Sequence, residues 1–261
     1  MWHFTFCILH FAFLPGFRIL AVMPHAASGR SRATFRLVAA SDHSVLVTFG
    51  DTISAKHHAR VVRLFQFLQS HAPSFVRNLH PAYSSLLVDF DPALATHREV
   101  EALLEEGMGS AAGQEPAPGR EVTIPVCYES ELAPDLDDVA RHADLAPGDV
   151  VRIHAEACYQ VYFIGFSPGF PYLGGMPPRI ATPRLATPRT KVPAGSVAIG
   201  GSQTGIYPLE SPGGWRIIGR TPLRLFVASR NPPSLLQTGD AVRFVRIDRT
   251  EFEERRGDPD G

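Results

Sequence analysis

The segment from residue 165 to residue 214 is dense in glycine and proline, and it restricts the possible folds of this chain more than any other feature. It holds 10 of the chain's 22 glycines and 9 of its 23 prolines. Glycine permits positive φ and close backbone approach, whereas proline fixes φ, so the segment can be neither helical nor flexible. Five aromatic residues lie in or beside it: Phe166, Phe170, Tyr172, Tyr207 and Trp215. They distinguish it from a disordered tract, and the pattern predicts rigid loops between short strands, where functional surfaces are usually built.

The same part of the chain carries an excess of positive charge. Between Gly165 and Arg224, seven basic residues stand against one acid, Glu210, so this window is +6 in a chain whose net charge is −1. A basic loop surface on an acidic body favours a small anionic ligand or an acidic partner surface. The alternative is that individual arginines only pair with acids elsewhere in the fold.

Composition sets the broad class of the protein. A chain of 261 residues, 44% of them hydrophobic, can build one large domain or two small ones. The near-neutral charge and the lack of a long basic run argue against nucleic acid as a partner. Three cysteines without CxxC spacing fit buried thiols in a reducing compartment better than disulfides or a metal site, so we expect a cytoplasmic protein that binds no metal.

Residues 1–33 are predicted to be an unstructured or mis-assigned extension, and they are left out of the fold prediction. The stretch up to Val22 is apolar, but histidines, Pro15 and Gly16 interrupt it, which argues against a membrane-spanning helix. It also lacks the basic start of a signal peptide. We therefore expect translation to begin at Met23 or a nearby codon, and no membrane as a partner.

Residues 34–106 are predicted to form a small α+β domain. Four segments alternate like strands: residues 35–38, 45–49, 75–79 and 85–90. Ser54 is placed to cap a helix that runs to about Ser70. Thr96 and Glu99 fit a capping box that opens a second helix, which ends near residue 106.

A second, mainly β domain is predicted for residues 121–248. Residues 107–120 before it have the composition of a linker, and residues 249–261 after it form a polar tail. Helices are expected at 135–143 and 147–155. The segments that follow are typical of strands: CYQVYFIGF, SVAIGG, WRIIG, LRLFVA and AVRFVRI. Many short strands broken by Gly and Pro turns suggest a barrel or a sandwich.

Several long motifs resemble a known family. GFSPGFPYLGG, PRLATPRTKVPAGSVAIGGSQTGIYPLESPGGW and IGRTPLRLF are similar to the carboxy-terminal domain of the family of 5-oxoprolinase B subunits. That family is also described as allophanate-hydrolase subunit 1-like, and it includes an inhibitor of a sporulation histidine kinase. SDHSVLVTFGD and PAYSSLLVDFDP extend the resemblance to about residues 35–247. It implies an α+β N-terminal domain followed by a mainly-β, cyclophilin-like barrel domain.

The resemblance also implies a component of an enzyme. 5-oxoprolinase opens the lactam of 5-oxo-L-proline to L-glutamate and hydrolyses ATP, since phosphorylating the lactam oxygen creates a group that water can displace. In the family, the B subunit acts with the A and C subunits. This sequence has no GxxxxGK(S/T) loop and no nucleophile-elbow pattern. ATP as a cofactor is therefore expected to need the partner subunits, and the chain is expected to be inactive alone.

Two other functions stay open. Related domains occur in urea- and allophanate-type amidohydrolases and carboxylases, which would predict a biotin-bearing partner. A regulatory protein that binds and inhibits a sensor histidine kinase would need an interaction surface but no catalytic site.

The charged candidates for substrate binding are Arg184, Arg189, Lys191 and Arg220. Arg184 and Arg189 lie in a tandem repeat, ATPR-LATPR. A guanidinium fork suits a substrate carboxylate or a phosphorylated intermediate, although an arginine after proline can also only brace a loop. His154 and Glu210 are the catalytic candidates. His154 would move a proton or else cap and pack a helix end, and Glu210 would act as a base or as a counter-ion.

The uncharged candidates are Gln203, Thr204 and Tyr207, which offer donors and acceptors to a lactam. Gly213 and Gly214 allow a ligand to approach the backbone closely. The aromatic residues at 166, 170 and 172 can wall an apolar pocket, pack against a partner protein or simply fill the core.

Overall fold

A computed structural model of the chain describes residues 31–32, 35–110 and 117–256. Within this part, the apolar side chains form two large cores, one against an open sheet and one inside a closed barrel. The expected start at Met23 and residues 111–116 of the predicted linker lie outside the described residues. None of the described helices is both long enough and apolar enough to span a bilayer.

The sheet unit comes first in the chain. Its strands are β1 (Ser31–Arg32), β2 (Phe35–Ser41), β3 (Ser44–Thr48), β4 (Val76–Pro81) and β5 (Ser85–Phe90). They pair antiparallel in the order β1-β2-β3-β5-β4. Two helices, α1 (Ala55–His71) and α2 (His97–Ser110), pack against it. Alternate residues of β3 and β5 are buried beneath these helices, which is the period expected of strands with one covered face.

Both predicted helix caps are present. The Ser54 hydroxyl accepts a hydrogen bond from the His57 N–H at 3.1 Å. Thr96 N–H donates to Glu99 Oε2 at 2.8 Å, and Glu99 N–H donates to Thr96 Oγ1 at 3.4 Å. Helix α2 continues to residue 110, past its predicted end, because Gly107 lets it lie directly on the Phe67 ring of α1. Residues 107–110 are therefore helix rather than linker.

The barrel follows. Its seven strands are β6 (Glu121–Cys127), β7 (Cys158–Ile164), β8 (Pro171–Gly174), β10 (Ser196–Gly200), β11 (Gln203–Ile206), β13 (Arg216–Arg220) and β14 (Ala241–Ile247). They close in the order β10-β11-β8-β7-β14-β6-β13, and only β14 and β6 run parallel. A separate two-stranded sheet joins β9 (Arg189–Val192) to β12 (Ser211–Gly213). Helices α3 (Leu136–Ala143) and α4 (Pro147–Glu156) add their buried residues to the barrel core.

The structure differs from the predicted strands in two respects. LRLFVA at 223–228 is a loop with a single bridge from Phe226 to Ser234, because the closed barrel leaves it no free strand edge. Strands β8, β9, β11 and β12 are only three or four residues long, and all but β9 contain Gly or Pro, so their sequence pattern is typical of loops.

The predicted polar tail is helical over its first part. Helix α5 (Arg249–Arg256) buries Phe252 against Cys127, Leu132 and Ile247. A single apolar position among charged residues is too weak a period to reveal such a helix. Residues 257–261 lie outside the described part.

The sheet unit and the barrel meet at His58 of α1. Its side chain is fully buried, and its ring centroid lies 4.0 Å from that of Tyr162 on β7. Backbone groups of Ala82, Tyr83 and Val161 lie close to the ring, but neither ring nitrogen has a hydrogen-bond partner within the described residues. Burial lowers the pKa of His58 to about 4, so the ring is neutral near pH 7.

Replacing His58 with phenylalanine is expected to make the protein less sensitive to mild acid. The unfolded chain takes up a proton at this residue as the pH falls through 6.5, whereas the folded protein does so only near pH 4. The free energy of unfolding is therefore highest above pH 6.5 and declines as the pH falls toward 4. For this one group the loss is about 2 kcal/mol at pH 5. Phenylalanine has a similar shape, has nothing to protonate and loses no hydrogen bond.

Urea unfolding at pH 7.5 and pH 5 measures this effect. The difference between the two free energies should be about 2 kcal/mol smaller in His58→Phe than in the unsubstituted protein. His142→Gln, on the exposed side of α3, is the matched control. An equal pH effect in both variants would contradict the prediction.

Candidate functional site

The candidate site lies on the outer face of the barrel. Along β11, Thr204 and Ile206 point into the barrel and are fully buried. Gln203, Gly205 and Tyr207 alternate with them and therefore point outward. Tyr172 of β8 lies beside Gly205 in the strand register, so β8 and β11 present their side chains on the same outer surface.

A cluster of aromatic rings packs on this outer surface, and Phe170, Tyr207 and Trp215 in it are buried. Phe170, Tyr172, Tyr207 and Trp215 belong to one cluster, with ring centroids 5.2 Å apart for Phe170 and Tyr207 and 5.9 Å apart for Tyr172 and Trp215. Tyr83 comes from the sheet unit and lies edge-on to Tyr172 at 6.0 Å. We call these five residues the aromatic face.

Glycines beneath the rings explain much of the glycine density of the sequence. A Cβ at Gly200 would lie 2.4 Å from the Trp215 ring, and a Cβ at Gly213 would lie 2.3 Å from the Tyr207 hydroxyl. Only glycine leaves room for these rings against the backbone. The group that lies close to the Gly213 backbone is thus the Tyr207 side chain, where the sequence predicted a ligand. The carbonyl of Gly214 accepts a hydrogen bond from Leu185 N–H at 2.7 Å.

Arg184 is the cation of the aromatic face. Its guanidinium lies 5.5 Å from the Trp215 ring centroid. Burial raises the pKa of Tyr83, Tyr172 and Tyr207, and the nearby charge of Arg184 opposes this rise in all three. Within the described part of the chain, Arg184 has no carboxylate partner. An exposed guanidinium among three tyrosine rings is suited to binding an anion with a flat body.

The loop beside this face holds Phe166 in a strained turn. Ser167 N–H donates to Gly165 O at 2.8 Å, and Phe166 between them has φ = 66°. This is the rare form of the γ-turn, and non-glycine residues adopt such a conformation only at a cost. The ring is 62% exposed and touches Phe170 edge-on. Strain that holds an aromatic ring out in solvent is typical of a functional loop.

Three polar atoms in or near the aromatic face are buried without partners within the described residues. They are Ser167 Oγ, Gln203 Nε2 and Ser211 Oγ. Buried polar atoms normally find a partner, so those that do not are candidates for ligand contact. Sequence reasoning selected Gln203 but missed both serines and Tyr83. No local signal could have found Tyr83, since it lies 120 positions before its partner Gln203.

Arg189, Lys191 and Arg220 lie apart from the aromatic face and line a small cleft of about 130 Å³. Arg189 makes a two-pronged ion pair with Asp135, with distances of 2.9 and 2.7 Å. Lys191 pairs with Glu210 at 3.1 Å, and both side chains are exposed. The Arg220 Nε–H donates to the Ala194 carbonyl at 2.8 Å. Arg189 and Glu210 thus fit the alternative that these charged residues pair with opposite charges in the fold, because each has such a partner.

His154 and Thr204 lie inside the barrel rather than at the candidate site. The Thr204 hydroxyl donates to Ala198 O at 3.0 Å, so its oxygen accepts from His154 Nε2 at 3.1 Å. That leaves His154 Nδ1 to accept from the Tyr128 hydroxyl at 2.9 Å. Burial lowers the pKa of His154 to about 3, and the neutral ring is fully hydrogen-bonded. The enclosed ring does not face the outer surface of the barrel, and the catalytic role of His154 stays a prediction.

The chain is similar to known proteins over most of its length. The family described as carboxyltransferase domain, subdomain C and D, matches residues 35–236. The 5-oxoprolinase B subunit of Bacillus subtilis (strain 168) is 39% identical over 222 residues, which cover 81% of this chain and 92% of that protein. The 5-oxoprolinase B subunit of Escherichia coli O157:H7 is 55% identical over 126 residues, or 48% of this chain and 58% of that protein.

Solved structures share the fold. The crystal structure of TTHA0988 is similar with a TM-score of 0.70 and 36% identity, over 78% of this chain and 40% of that one. The K. lactis urea amidolyase has a TM-score of 0.68 at 22% identity over 86% of this chain and 16% of that one, which shows the fold alone. The match to nearly the full length of a named relative decides the family: the chain belongs to the family of 5-oxoprolinase B subunits.

Proposed function

We propose that this protein is the B subunit of an ATP-dependent 5-oxoprolinase, which with the A and C subunits opens the lactam of 5-oxo-L-proline to L-glutamate. The observation that carries the proposal is the 39% identity with the Bacillus subtilis protein over 92% of its length. The finer fold assignment belongs to the same proposal: an α+β domain at 34–106, a cyclophilin-like barrel domain at 121–248, and a cytoplasmic location. The likeness to urea amidolyase concerns the fold alone and does not favour the urea-type alternative.

The aromatic face offers groups that match those of 5-oxoproline. This substrate carries a carboxylate and a lactam on one small ring. Arg184 presents a planar fork to the carboxylate, while the Trp215 and Tyr172 rings provide apolar walls for the substrate ring. Gln203 and Tyr207 supply polar side chains to the lactam. In this role the chain binds and orients the substrate, which lowers the barrier by holding the reacting groups in place.

Neither of two clefts on the described surface fits ATP. The cleft beside Arg189 and Arg220 has a volume of about 130 Å³, well below the roughly 300–1,000 Å³ of typical small-molecule sites. A second cleft, beside α1, is lined by Ala, Pro, Gly, Lys, Arg and Gln, with no aromatic ring for a base. We therefore assign ATP binding to the partner subunits. The roles proposed for this chain's residues do not involve ATP.

Glutamate release from 5-oxoproline tests the proposal. The A and C subunits, this chain and ATP are mixed, and the same mixture is assayed without the chain. Activity is expected only in the complete mixture. A complete mixture that assembles but releases no glutamate would overturn the proposed substrate.

In that assay, replacing Arg184 with alanine is expected to lower kcat/KM by about 10- to 100-fold, since a hydrogen-bonded charge pair with the substrate is lost. Arg246→Ala, an exposed arginine on β14, is the control and should leave the activity unchanged. Equal activities of Arg184→Ala and the unsubstituted protein would remove Arg184 from the site.

A further inference from the structure

The sheet unit contributes Tyr83 to the surface of the barrel. Tyr83 lies in the turn between β4 and β5 and extends among three barrel rings. Its ring centroid is 4.8 Å from that of Phe163, 6.0 Å from that of Tyr172 and 6.2 Å from that of Tyr162, each nearly edge-on. Edge-on contacts of this kind hold the ring, and hence its hydroxyl, in one position.

The Tyr83 hydroxyl binds the side chain of Gln203. It donates to Gln203 Oε1 with an oxygen–oxygen distance of 2.9 Å. Burial raises the pKa of Tyr83 far above its usual value, so the hydroxyl keeps its proton at any physiological pH. Tyr83 therefore remains a donor.

This bond decides which way the Gln203 amide faces. With Oε1 occupied by the Tyr83 proton, the Nε2–H group has no partner within the described residues, and it is buried. The flipped amide would leave two groups without partners, the Tyr83 proton and Gln203 Oε1, so the observed orientation is the better one. Gln203 thus has a hydrogen-bond donor left for a ligand, while its oxygen already accepts the Tyr83 proton.

We propose that Tyr83 is a positioning residue that sets Gln203 as a donor, so that the aromatic face selects a ligand with a carbonyl oxygen next to its anchored carboxylate. Arg184 lies over the Trp215 ring, and a run of ring contacts leads from Trp215 through Tyr172 to Tyr83. A ligand carboxylate at Arg184 and a ring carbonyl at Gln203 would then flank Tyr83. The inference rests on the proposed function and deepens it: the group recognised by Gln203 is the lactam C=O and not the lactam N–H.

Two probes separate this role from a structural one. Calorimetry on the assembled complex without ATP measures the binding of 5-oxoproline and of two other five-membered-ring carboxylates. 3-Oxocyclopentanecarboxylate keeps a ring carbonyl but has no ring N–H, and it should respond to the variants as 5-oxoproline does. Cyclopentanecarboxylate has neither the ring carbonyl nor the ring N–H. For 5-oxoproline, Tyr83→Phe is expected to weaken binding about fivefold and Gln203→Ala about tenfold or more. Cyclopentanecarboxylate should bind equally to all three proteins.

The double variant tests whether Tyr83 acts through Gln203. Because Tyr83 has nothing to position once Gln203 is gone, Tyr83→Phe should have no further effect in the Gln203→Ala background. Tyr159→Phe is the matched control, since it removes a buried tyrosine hydroxyl that donates to the His154 carbonyl inside the barrel. It should affect stability without changing the affinity for 5-oxoproline.

The possible outcomes distinguish a failure of this inference from a failure of the proposed function on which it rests. Equal losses for 5-oxoproline and cyclopentanecarboxylate, or additive losses in the double variant, would overturn the positioning role of Tyr83. Losses for 5-oxoproline that 3-oxocyclopentanecarboxylate does not share would overturn the recognition of the lactam C=O. Unchanged 5-oxoproline binding by Tyr83→Phe, in a complex that still releases glutamate, would overturn the inference and leave the proposed function standing. A wild-type complex that neither binds 5-oxoproline nor releases glutamate would overturn both.

Discussion

Replacing Asp135 with alanine is expected to lower the free energy of unfolding by about 3 kcal/mol, because it removes one partner of a buried ion pair. Asp135 stands directly before α3, and its side chain is only 5% exposed. Its two oxygens accept the Arg189 fork, and Oδ2 also accepts from the Ile217 N–H at 2.7 Å. The expected loss of unfolding free energy lies near the lower end of the range for broken buried ion pairs. The reason is that the Arg189 side chain is 31% exposed, so water can hydrate it once Asp135 is gone.

Asp135→Asn is the matched control for the charge. Asparagine keeps an acceptor for the Ile217 N–H but loses the negative charge that holds Arg189, so we expect about half of the alanine effect. Urea unfolding at pH 7.5, followed by circular dichroism, measures both variants. A loss below about 1 kcal/mol for Asp135→Ala would mean that the pair does not stabilise the fold.

Gly200→Ala is expected to lower the free energy of unfolding by about 2 kcal/mol, as overpacking of a rigid site does. The new methyl group would lie 2.4 to 2.6 Å from three atoms of the buried Trp215 indole. The indole must shift, and it then leaves its position beside Arg184 and Tyr172. We therefore expect 5-oxoproline affinity to fall as well, by about tenfold or more, since a small misplacement disrupts an oriented site.

Tryptophan fluorescence and near-UV circular dichroism report the shift of Trp215 as a difference from the unsubstituted protein, since the other tryptophan, Trp2, is the same in both. Unfolding and calorimetry are measured on the same samples. Gly148→Ala in α4 adds the same methyl group where nothing lies within 4 Å. It should leave the tryptophan signals unchanged and stabilise the helix by up to about 1 kcal/mol. Unaltered Trp215 signals in Gly200→Ala would contradict the packing described for the aromatic face.

Features governed by neighbours in the sequence could be predicted from the sequence. The Ser54 cap and the Thr96–Glu99 capping box depend on residues three positions apart, so the local pattern contains all of the interaction. Alternation identified β5 to the residue, because one face of that strand is buried and the other is not. Strands of three or four residues, such as β12, leave too short a pattern to be recognised.

The same distinction between local and long-range features applies to the candidate site. From the sequence alone, the density of glycine, proline and aromatic residues predicted that residues 165–214 form rigid loops with a functional surface, and several of the family motifs lie in this segment. Which basic residue is available to a ligand depends on partners far away in the chain: Asp135, 54 positions before Arg189, occupies that arginine, whereas Arg184 is left with an aromatic ring.

The amino-acid sequence by itself determined the helix caps, the mainly β character of the second half and the family, because these follow from local spacing and long motifs. The tertiary structure alone decided that His154 lies inside the barrel, that Gly200 and Gly213 make room for aromatic rings, and that Tyr83 orients Gln203. The physical reason is that burial, charge pairing and amide orientation are properties of groups brought together by folding, and residues 120 positions apart have no local pattern that links them.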